Sequence, residues 1–310
     1  MKKLLLIMVG LLLVVVLFLV ADFQKVITEL KSIDPLIIIV ACVLQVVTIY
    51  LVSFQWYLLA NRVSENVKYK SIFHLNMAGT LVEAITPAVK AGGEAVKVLM
   101  LKNSMGFSYT KALSLVSVQK IISVVPFLIL SLSGTVWFLI SFTGAQTYSN
   151  MLLGSLFFLL LVCLVLVLTL LLLNRFNKAR ALIDTIKSDL RGVLQSKEHL
   201  VLHLLLSFGI WIFFAVKAYF IAQALGLSIT FLQIGVITYL TYMVAMVPLL
   251  PGGLGTFEAS MVLLLAVVGI PFYQSIVFAL VFRFCTFWFV FIWSGIYLLY
   301  HSIINRQVKA

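Results

Sequence analysis

Charged side chains are scarce in this chain. Only 10% of its 310 residues are Asp, Glu, Lys or Arg, and 63% are hydrophobic, whereas soluble globular domains carry about 25% charged residues. The longest hydrophilic stretch, 174–199, covers only about 26 residues, which is too short for a folded soluble domain. The composition therefore excludes a soluble protein and predicts an all-α polytopic membrane protein, folded as a single integral membrane domain over 1–310.

Signatures of chemistry are also absent from the sequence. Its three cysteines, Cys42, Cys163 and Cys285, all lie inside apolar segments, so we interpret them as small core residues. The sequence has no His-rich metal spacing, no Walker loop and no Gly-x-Ser-x-Gly elbow. We therefore expect no catalytic residue, no metal site and no cofactor, and any energy source would be an ion gradient or the lipid gradient itself.

The net charge of +12 is unevenly distributed along the chain. With Lys2 and Lys3 placed inside, the inner loops hold 15 basic residues and the outer loops hold two, Lys25 and Lys31. This bias predicts a multi-pass protein of the cell (inner) membrane with cytoplasmic N- and C-termini. No basic stretch is long enough for a nucleic-acid arm, so we expect no nucleic acid partner.

Long apolar runs predict six membrane-crossing helices, because about 20 helical residues cross the hydrocarbon core. The first run is interpreted as a retained helix, with a cleaved signal peptide as the alternative. The six runs are 4–21, 35–60, 112–141, 151–173, 200–225 and 272–300.

Two further apolar regions, 71–105 and 232–269, are broken near their middles by proline and glycine. Pro87 and Pro251 lie 164 residues apart, and each is followed seven residues later by Glu-Ala. The limbs are short for full crossings, which favours two re-entrant helical hairpins. The alternative is that every limb crosses the membrane, for ten or so helices.

The two hairpins lie in corresponding positions of two halves, 1–145 and 146–310. The charge bias places the first hairpin on the cytoplasmic side and the second on the outer side. Each half then has the order crossing, crossing, hairpin, crossing, with opposite orientation. This is an inverted repeat, an architecture typical of transporters.

Ionisable residues inside apolar segments are the candidate site, because a charge at mid-membrane costs about 2.5–3.5 kcal/mol on insertion scales. Lys120 lies about 14 Å into its helix and Arg283 about 17 Å from the outer end, at 1.5 Å per residue. The functional interpretation makes both anion sites, with Glu94 and Glu258 as partners or proton carriers. The structural interpretation is two ion pairs that lock the hairpins to neighbouring helices.

The hairpin tips add glycines to this candidate site. Gly92, Gly93, Gly252 and Gly253 allow close backbone approach and lie where the second limb of each hairpin begins, so that helix N-terminal N–H groups face an incoming anion. The alternative is that they only form turns. The full set of predicted substrate-binding or gating residues is Pro87, Lys90, Gly92, Gly93, Glu94, Lys120, Pro251, Gly252, Gly253, Thr256, Glu258 and Arg283.

Four charged residues, Lys90 of this set and three others, have open roles. Lys90 and Lys97 bracket the first tip, where a cytoplasmic phosphate would find both, although Lys97 is expected to extend towards the inner headgroups. Glu83 is a proton site or a partner of Lys120. Lys217 extends outward or pairs with Glu258, and we favour the pairing.

At these residues the chain resembles the lysylphosphatidylglycerol synthase transmembrane-region family, best known as the flippase half of the multiple peptide resistance factor. The resemblance rests on 87–97, the basic residue in the third crossing, the Pro-Gly-Gly-Leu-Gly-Thr-Phe-Glu-Ala string from Pro251, and Arg283. Gln119-Lys120 stands where the resemblance leads us to expect an acid followed by arginine.

The resemblance implies a lipid translocase that moves a charged headgroup between leaflets, with a membrane lipid as its substrate. Fused members carry a cytosolic domain that transfers lysine from lysyl-tRNA to phosphatidylglycerol, and that domain is absent from this sequence. Three alternatives remain. One is a phosphatidylglycerol lysyltransferase, as the family name implies. Another is a membrane subunit that recruits a lipid synthase or glycosyltransferase through the basic loop 174–199, and the last is an ion-coupled transporter of a small solute.

Overall fold

The computed structural model describes residues 23–63, 67–86, 91–142, 183–191, 197–246 and 251–307. These ranges consist of helices joined by short turns and loops, with no β-strand among them, as expected for an all-α polytopic membrane protein. Two of the predicted crossings, 4–21 and 151–173, lie outside the described residues, as does most of the predicted loop 174–199.

The helices are numbered here in chain order. They are α1 Phe23–Ser32, α2 Pro35–Val63, α3 Tyr69–Ile85, α4 Ala91–Met105, α5 Tyr109–Phe142, α6 183–191, α7 Lys197–Ala224, α8 Phe231–Ala245, α9 Thr256–Val267, α10 Phe272–Arg283 and α11 Phe289–Gln307. A short 3₁₀ turn, Pro251–Gly253, precedes α9, and a π-helical segment, Phe284–Trp288, joins α10 to α11.

Four described segments are long and apolar enough to cross a membrane: Pro35–Arg62, Tyr109–Phe138, Glu198–Ala224 and Phe272–Ile304. They correspond to four of the six predicted crossings. Long apolar runs become helices because a helix satisfies every backbone N–H and C=O within the segment, where no water can replace them.

Each broken apolar region forms two short helices packed against each other, α3 with α4 and α8 with α9. α3 ends at Thr86, whose backbone is extended (φ −97°, ψ 132°) because the next residue is proline. The second limbs α4 and α9 are each followed by a glycine with positive φ, Gly106 at 73° and Gly269 at 86°. Such glycines end a helix in the left-handed conformation that other residues avoid.

The two halves of the chain have the same helix order and spacing. The first residues of α2, α3, α4 and α5 are 35, 69, 91 and 109. The first residues of α7, α8, α9 and α10 are 197, 231, 256 and 272, each 162 to 165 residues later. The long helix α5 corresponds to α10, the π-helical segment and α11 together.

The apolar core is divided between the two hairpins. The larger cluster surrounds α8, α9 and α10 and includes the fully buried rings of Phe257, Phe278 and Phe282. A smaller cluster joins α2, α3, α4 and α5, and α6 packs against it through Ile186 and Leu190. Polar and charged side chains lie where the two hairpins face each other.

Candidate functional site

One cavity of about 310 Å³ lies between the two hairpins. Its wall includes residues of α2, α3, α4, α5, α7 and α8, the glycine turn before α9, and the α10–α11 unit. Five of the lining residues carry charge: Glu83, Glu94, Lys97, Lys120 and Arg283. The cavity therefore gathers intramembrane charges from both halves of the chain.

Glu94 of α4 anchors the charged cluster of the first hairpin. One carboxylate oxygen accepts a hydrogen bond from Lys120 Nζ of α5 at 2.8 Å, and the other lies 3.5 Å from Lys97 Nζ. Lys97 is buried and its ammonium lies 4.8 Å from the centre of the Trp56 ring. The expectation that Lys97 extends towards the headgroups is wrong, because an acid and an aromatic face bind it inside the protein.

Two glycines let α3 and α4 approach closely enough to form this cluster. A Cβ on Gly93 would lie 2.5 Å from the Gly79 carbonyl oxygen, and a Cβ on Gly79 would lie 2.6 Å from Lys97 Cε. Gly92 packs against the Thr86 side chain in the same way. The predicted close approach at the first tip is therefore present, and it requires small residues on both limbs.

The second hairpin holds a different ion pair. Glu258 Oε1 of α9 lies 3.2 Å from Arg283 Nε of α10, and Glu258 Oε2 accepts from the Gly255 N–H at 2.7 Å. The guanidinium lies 4.6 Å from the Phe257 ring centre and 4.1 Å from that of Phe287. The planar guanidinium packs against the two rings and pairs with the Glu258 carboxylate, and these contacts together confine Arg283.

The turn before α9 depends on glycine. Gly252, Gly253 and Gly255 have φ values of 62°, 71° and 77°, a region that L side chains rarely adopt. Arg283 donates to the Gly252 carbonyl oxygen, and a Cβ on Gly252 would lie 2.5 Å from the Phe287 ring. The glycines thus bring main chain directly against the buried arginine and the cavity.

A π-helical segment, Phe284–Trp288, follows Arg283 and places Thr286 and Phe287 in the cavity wall. π-bulges in helices are frequent at functional sites. Sequence reasoning missed this segment, because the run Phe-Cys-Thr-Phe-Trp has nothing that distinguishes it from an ordinary apolar helix.

Polar side chains on α2 and its neighbours form another part of the wall that sequence reasoning missed. Gln119 Nε2 lies 3.4 Å from Gln55 Oε1, and Gln55 in turn donates to Ser207 Oγ. Asn76 donates to Ser53 Oγ at 3.2 Å. Amide residues inside apolar crossings were the available signal, since buried amides in a membrane helix require polar partners.

Lys217 of α7 is not paired with Glu258, as the sequence had led us to expect. Its ammonium donates to the Gln45 carboxamide oxygen and to Thr48 Oγ1, the latter at 3.0 Å, and both residues lie on α2. The ammonium also lies 3.9 Å from the Phe214 ring centre. Its residue is only 1% exposed, so it does not extend outward either. The pairing prediction was wrong because α2, and not α9, lies against this face of α7.

The structure distributes the remaining predicted site residues between the wall and its support. Glu83, Glu94, Lys120, Gly252, Gly253 and Arg283 line the cavity. Gly92, Gly93, Thr256 and Glu258 support the wall, with Thr256 donating to the Gly253 carbonyl at 2.9 Å. Pro87 and Lys90 lie outside the described residues, and of Pro251 only the backbone is described. Within the described ranges, no three His, Cys, Asp or Glu side chains come together as metal ligands.

Comparison with known proteins gives the family. The family model described as "Lysylphosphatidylglycerol synthase TM region" matches residues 7–294. The chain is 25% identical to a UPF0104 membrane protein of Methanothermobacter thermautotrophicus, over 93% of this chain and 92% of that protein. It is 26% identical to a UPF0104 membrane protein of Pyrococcus horikoshii, over 96% and 97%. The chain therefore belongs to the lysylphosphatidylglycerol synthase TM region family, as its motifs indicated.

Proposed function

We propose that this member of the lysylphosphatidylglycerol synthase TM region family is a lipid translocase that moves a charged headgroup between the two leaflets. The cargo is a phospholipid or a polyprenyl-phosphate-type lipid. Its headgroup passes between the hairpins while its acyl chains remain in the bilayer. The chain itself performs no lysyl transfer in this proposal.

The cavity between the hairpins is the observation that carries the proposal. Its volume of about 310 Å³ is at the lower end of ligand pockets, which range over about 300–1,000 Å³. That volume suits a polar headgroup and not a complete lipid with its chains. Charged and amide side chains are costly inside an apolar protein, so they usually mark a pathway. Here both hairpins contribute such side chains to one cavity.

The repeated helix order supports an alternating-access mechanism. We propose that the two halves are inverted repeats in the membrane, with the first hairpin entering from the cytoplasm and the second from outside. Single cysteines at Thr86 and Leu254, in a chain without its native cysteines, would then react with impermeant reagents from opposite faces. Labelling of both positions from one face would contradict the inverted arrangement.

The two ion pairs are the proposed gates. An anionic headgroup can replace Glu94 on Lys120, or Glu258 on Arg283, because phosphate and carboxylate oxygens compete for the same donors. Each exchange would release a hairpin from its neighbouring helix. Binding of the headgroup and opening of the hairpin are thereby coupled.

The test is leaflet transfer by the purified full chain in liposomes that carry a headgroup-labelled lipid. Lys120→Met removes the base that the headgroup binds at the first gate and keeps a side chain of similar length, so we expect at least about tenfold slower transfer, the loss typical of one charge-assisted hydrogen bond. Lys111→Met is the matched control, since it breaks the Lys111–Asp189 pair (2.7 Å) outside the cavity wall.

The outcomes separate the proposals. Transfer by the native chain that slows in Lys120→Met but not in Lys111→Met agrees with the translocase. Absence of lipid transfer by the native chain across anionic and zwitterionic headgroups would rule it out. Uptake of a solute by vesicles that require no lipid substrate would favour the ion-coupled transporter instead.

One observation favours the alternative of a membrane subunit. Helix α6, within the predicted loop 174–199, is attached to α5 through Asp189, which binds Lys111 Nζ and Ser114 Oγ at 2.7 and 2.6 Å. A loop held in place on the membrane bundle suits the recruitment of a lipid synthase or glycosyltransferase. Co-purification of an enzyme that is lost on deletion of α6, without leaflet transfer, would support this function.

A further inference from the structure

Lys217 of α7 is a fully buried basic side chain that contacts no acidic side chain in the described part of the chain. It is 1% exposed, and its partners are the Gln45 carboxamide, the Thr48 hydroxyl and the Phe214 ring. Burying an ammonium without a counter-charge is costly, and a hydrophobic residue of similar volume is often more stable in such a position. Stability alone therefore gives no reason for a lysine here.

Lys217 fixes the orientation of Gln45. An ammonium group only donates hydrogen bonds, so it must face the carboxamide oxygen of Gln45, and the NH₂ group then faces the other way. Gln45 is 4% exposed and lines the cavity. Its Nε2 makes no hydrogen bond to any described residue. The α2–α7 wall thus presents an amide donor to the cavity.

Thr48 cannot replace Gln45 as this donor. Its hydroxyl oxygen accepts from Lys217, and its proton is already donated to the Leu44 carbonyl oxygen at 3.1 Å. Phe214, whose ring lies against the ammonium, also lines the cavity. The amide of Gln45 is therefore the donor through which Lys217 acts on a ligand.

A protonated Lys217 makes this wall electropositive. Among the described residues, the acids Glu83, Glu94 and Glu258 are matched in number by the bases Lys97, Lys120 and Arg283. Lys217 is a fourth base beside three acids. Because its charge is buried, little solvent screens it from the cavity.

We propose that Gln45, backed by Lys217, is an anion subsite that binds a phosphate oxygen of the cargo. This inference deepens the proposed function and rests on it, since it assigns the translocated headgroup to the anionic phosphate esters. Gln45 contacts the ligand, and Lys217 is a positioning residue that orients the amide and supplies the field. The α4–α5 and α9–α10 ion pairs are then left to act as gates.

Gln45→Glu is the sharpest variant, because it changes charge with almost no change in shape. A carboxylate at this position still accepts from Lys217, so the packing is retained, but it cancels the buried charge and removes the NH₂ donor. Lys217→Met removes the charge and keeps a side chain of similar length. Lys102→Met is the matched control, since Lys102 is exposed in the last turn of α4.

The experiment measures binding and transfer separately. Binding of dihexanoyl phosphatidylglycerol, dihexanoyl phosphatidylcholine and inorganic phosphate to the full chain in detergent is followed by tryptophan fluorescence, since Trp56 and Trp211 line the cavity. We expect Gln45→Glu and Lys217→Met to weaken phosphatidylglycerol binding by at least about tenfold, the effect of a hydrogen bond to a charged group. We expect smaller changes for phosphatidylcholine and none for Lys102→Met.

Each result has a defined meaning. Weaker phosphatidylglycerol binding in both variants supports the subsite, even if the native chain transfers no lipid and the translocase proposal fails. Native phosphatidylglycerol binding and transfer in Gln45→Glu overturns the subsite and leaves the translocase standing. Inorganic phosphate bound as tightly as phosphatidylglycerol, with the same dependence on Lys217, assigns the subsite to free phosphate. No binding of either anion to the native chain also overturns it.

Discussion

The two hairpins carry matching residues, yet they hold their ion pairs in different surroundings. Glu94 binds Lys120, whose side chain is 40% exposed, whereas Glu258 binds Arg283, whose side chain is 6% exposed. Arg283 also donates to the Gly252 carbonyl and is enclosed by two aromatic rings. The first pair is open to exchange, and the second is built into the protein.

The packing of the hairpin limbs explains this difference. α8 is buried along most of its length, and α9 buries seven of its residues, four of them in the larger core cluster. α4 buries few side chains besides Val98, Leu101 and Lys97. A buried pair with a single base is costly to break, whereas Glu94 keeps Lys97 as a partner when Lys120 is lost. We interpret the first hairpin as the gate that opens more readily and the second as the more tightly held gate.

The largest expected contrast is between Arg283→Met and Lys120→Met. Removing Arg283 leaves Glu258 charged and buried, so we expect a loss of about 3–5 kcal/mol in the free energy of unfolding. Removing Lys120 should cost less, about 1–2 kcal/mol, because Glu94 keeps Lys97 Nζ as a partner at 3.5 Å. Unfolding in detergent measures both variants. Equal losses would show that the two pairs are equivalent and would end the distinction drawn here.

A smaller contrast is expected between two glycine substitutions. Gly252 has a φ of 62°, and in Gly252→Ala the new Cβ would clash with the Phe287 ring. Backbone strain and overpacking together should lower the free energy of unfolding by about 2–4 kcal/mol. Gly106→Ala has φ 73° but no atom within 4 Å of the new Cβ, so only the strain of about 1 kcal/mol remains. Thermal unfolding of both variants checks this difference. A Gly252→Ala protein as stable as Gly106→Ala would show that the second tip is not tightly packed.

The smallest expected contrast is between Arg283→Lys and Lys120→Arg, which exchange one basic side chain for the other. Arg283→Lys keeps the charge but loses the planar stacking on Phe257 and Phe287, so we expect a loss of about 1–2 kcal/mol. Lys120→Arg should be nearly neutral for stability, since an exposed guanidinium can still reach Glu94. A double-mutant cycle with Glu258→Gln measures how much of the first loss belongs to the ion pair. A neutral Arg283→Lys would contradict the confined arginine.

The elements of the fold that sequence could predict are those with local causes. Pro87 follows the extended Thr86 at the end of α3, and Gly252 and Gly253 adopt the positive φ expected of a glycine turn. The four described crossings match predicted apolar runs to within a few residues. Such features depend on backbone stereochemistry and hydropathy within one segment, which neighbours in space do not change.

The candidate site was only partly predictable. The repeat offset of 164 makes Gln119 the sequence counterpart of Arg283 in the first half. The base that binds Glu94, however, is Lys120, one position later. One position along a helix rotates a side chain by about 100°, because a turn contains 3.6 residues. Offsets therefore indicate which helices pair and not which side chains meet. Lys217, expected on Glu258, is bound instead by Gln45 and Thr48, because α2 packs against α7.

The sequence alone determined that this is an all-α membrane protein of its family, with two proline- and glycine-broken regions and charges at 94, 120, 258 and 283 that apolar segments must accommodate. Only the tertiary structure decided that one cavity collects these charges, that one pair is open and the other enclosed, and that Lys217 supports a polar wall on α2. The physical reason is that hydropathy acts along the chain, whereas the partner of a buried charge is set by the helix that packs against it.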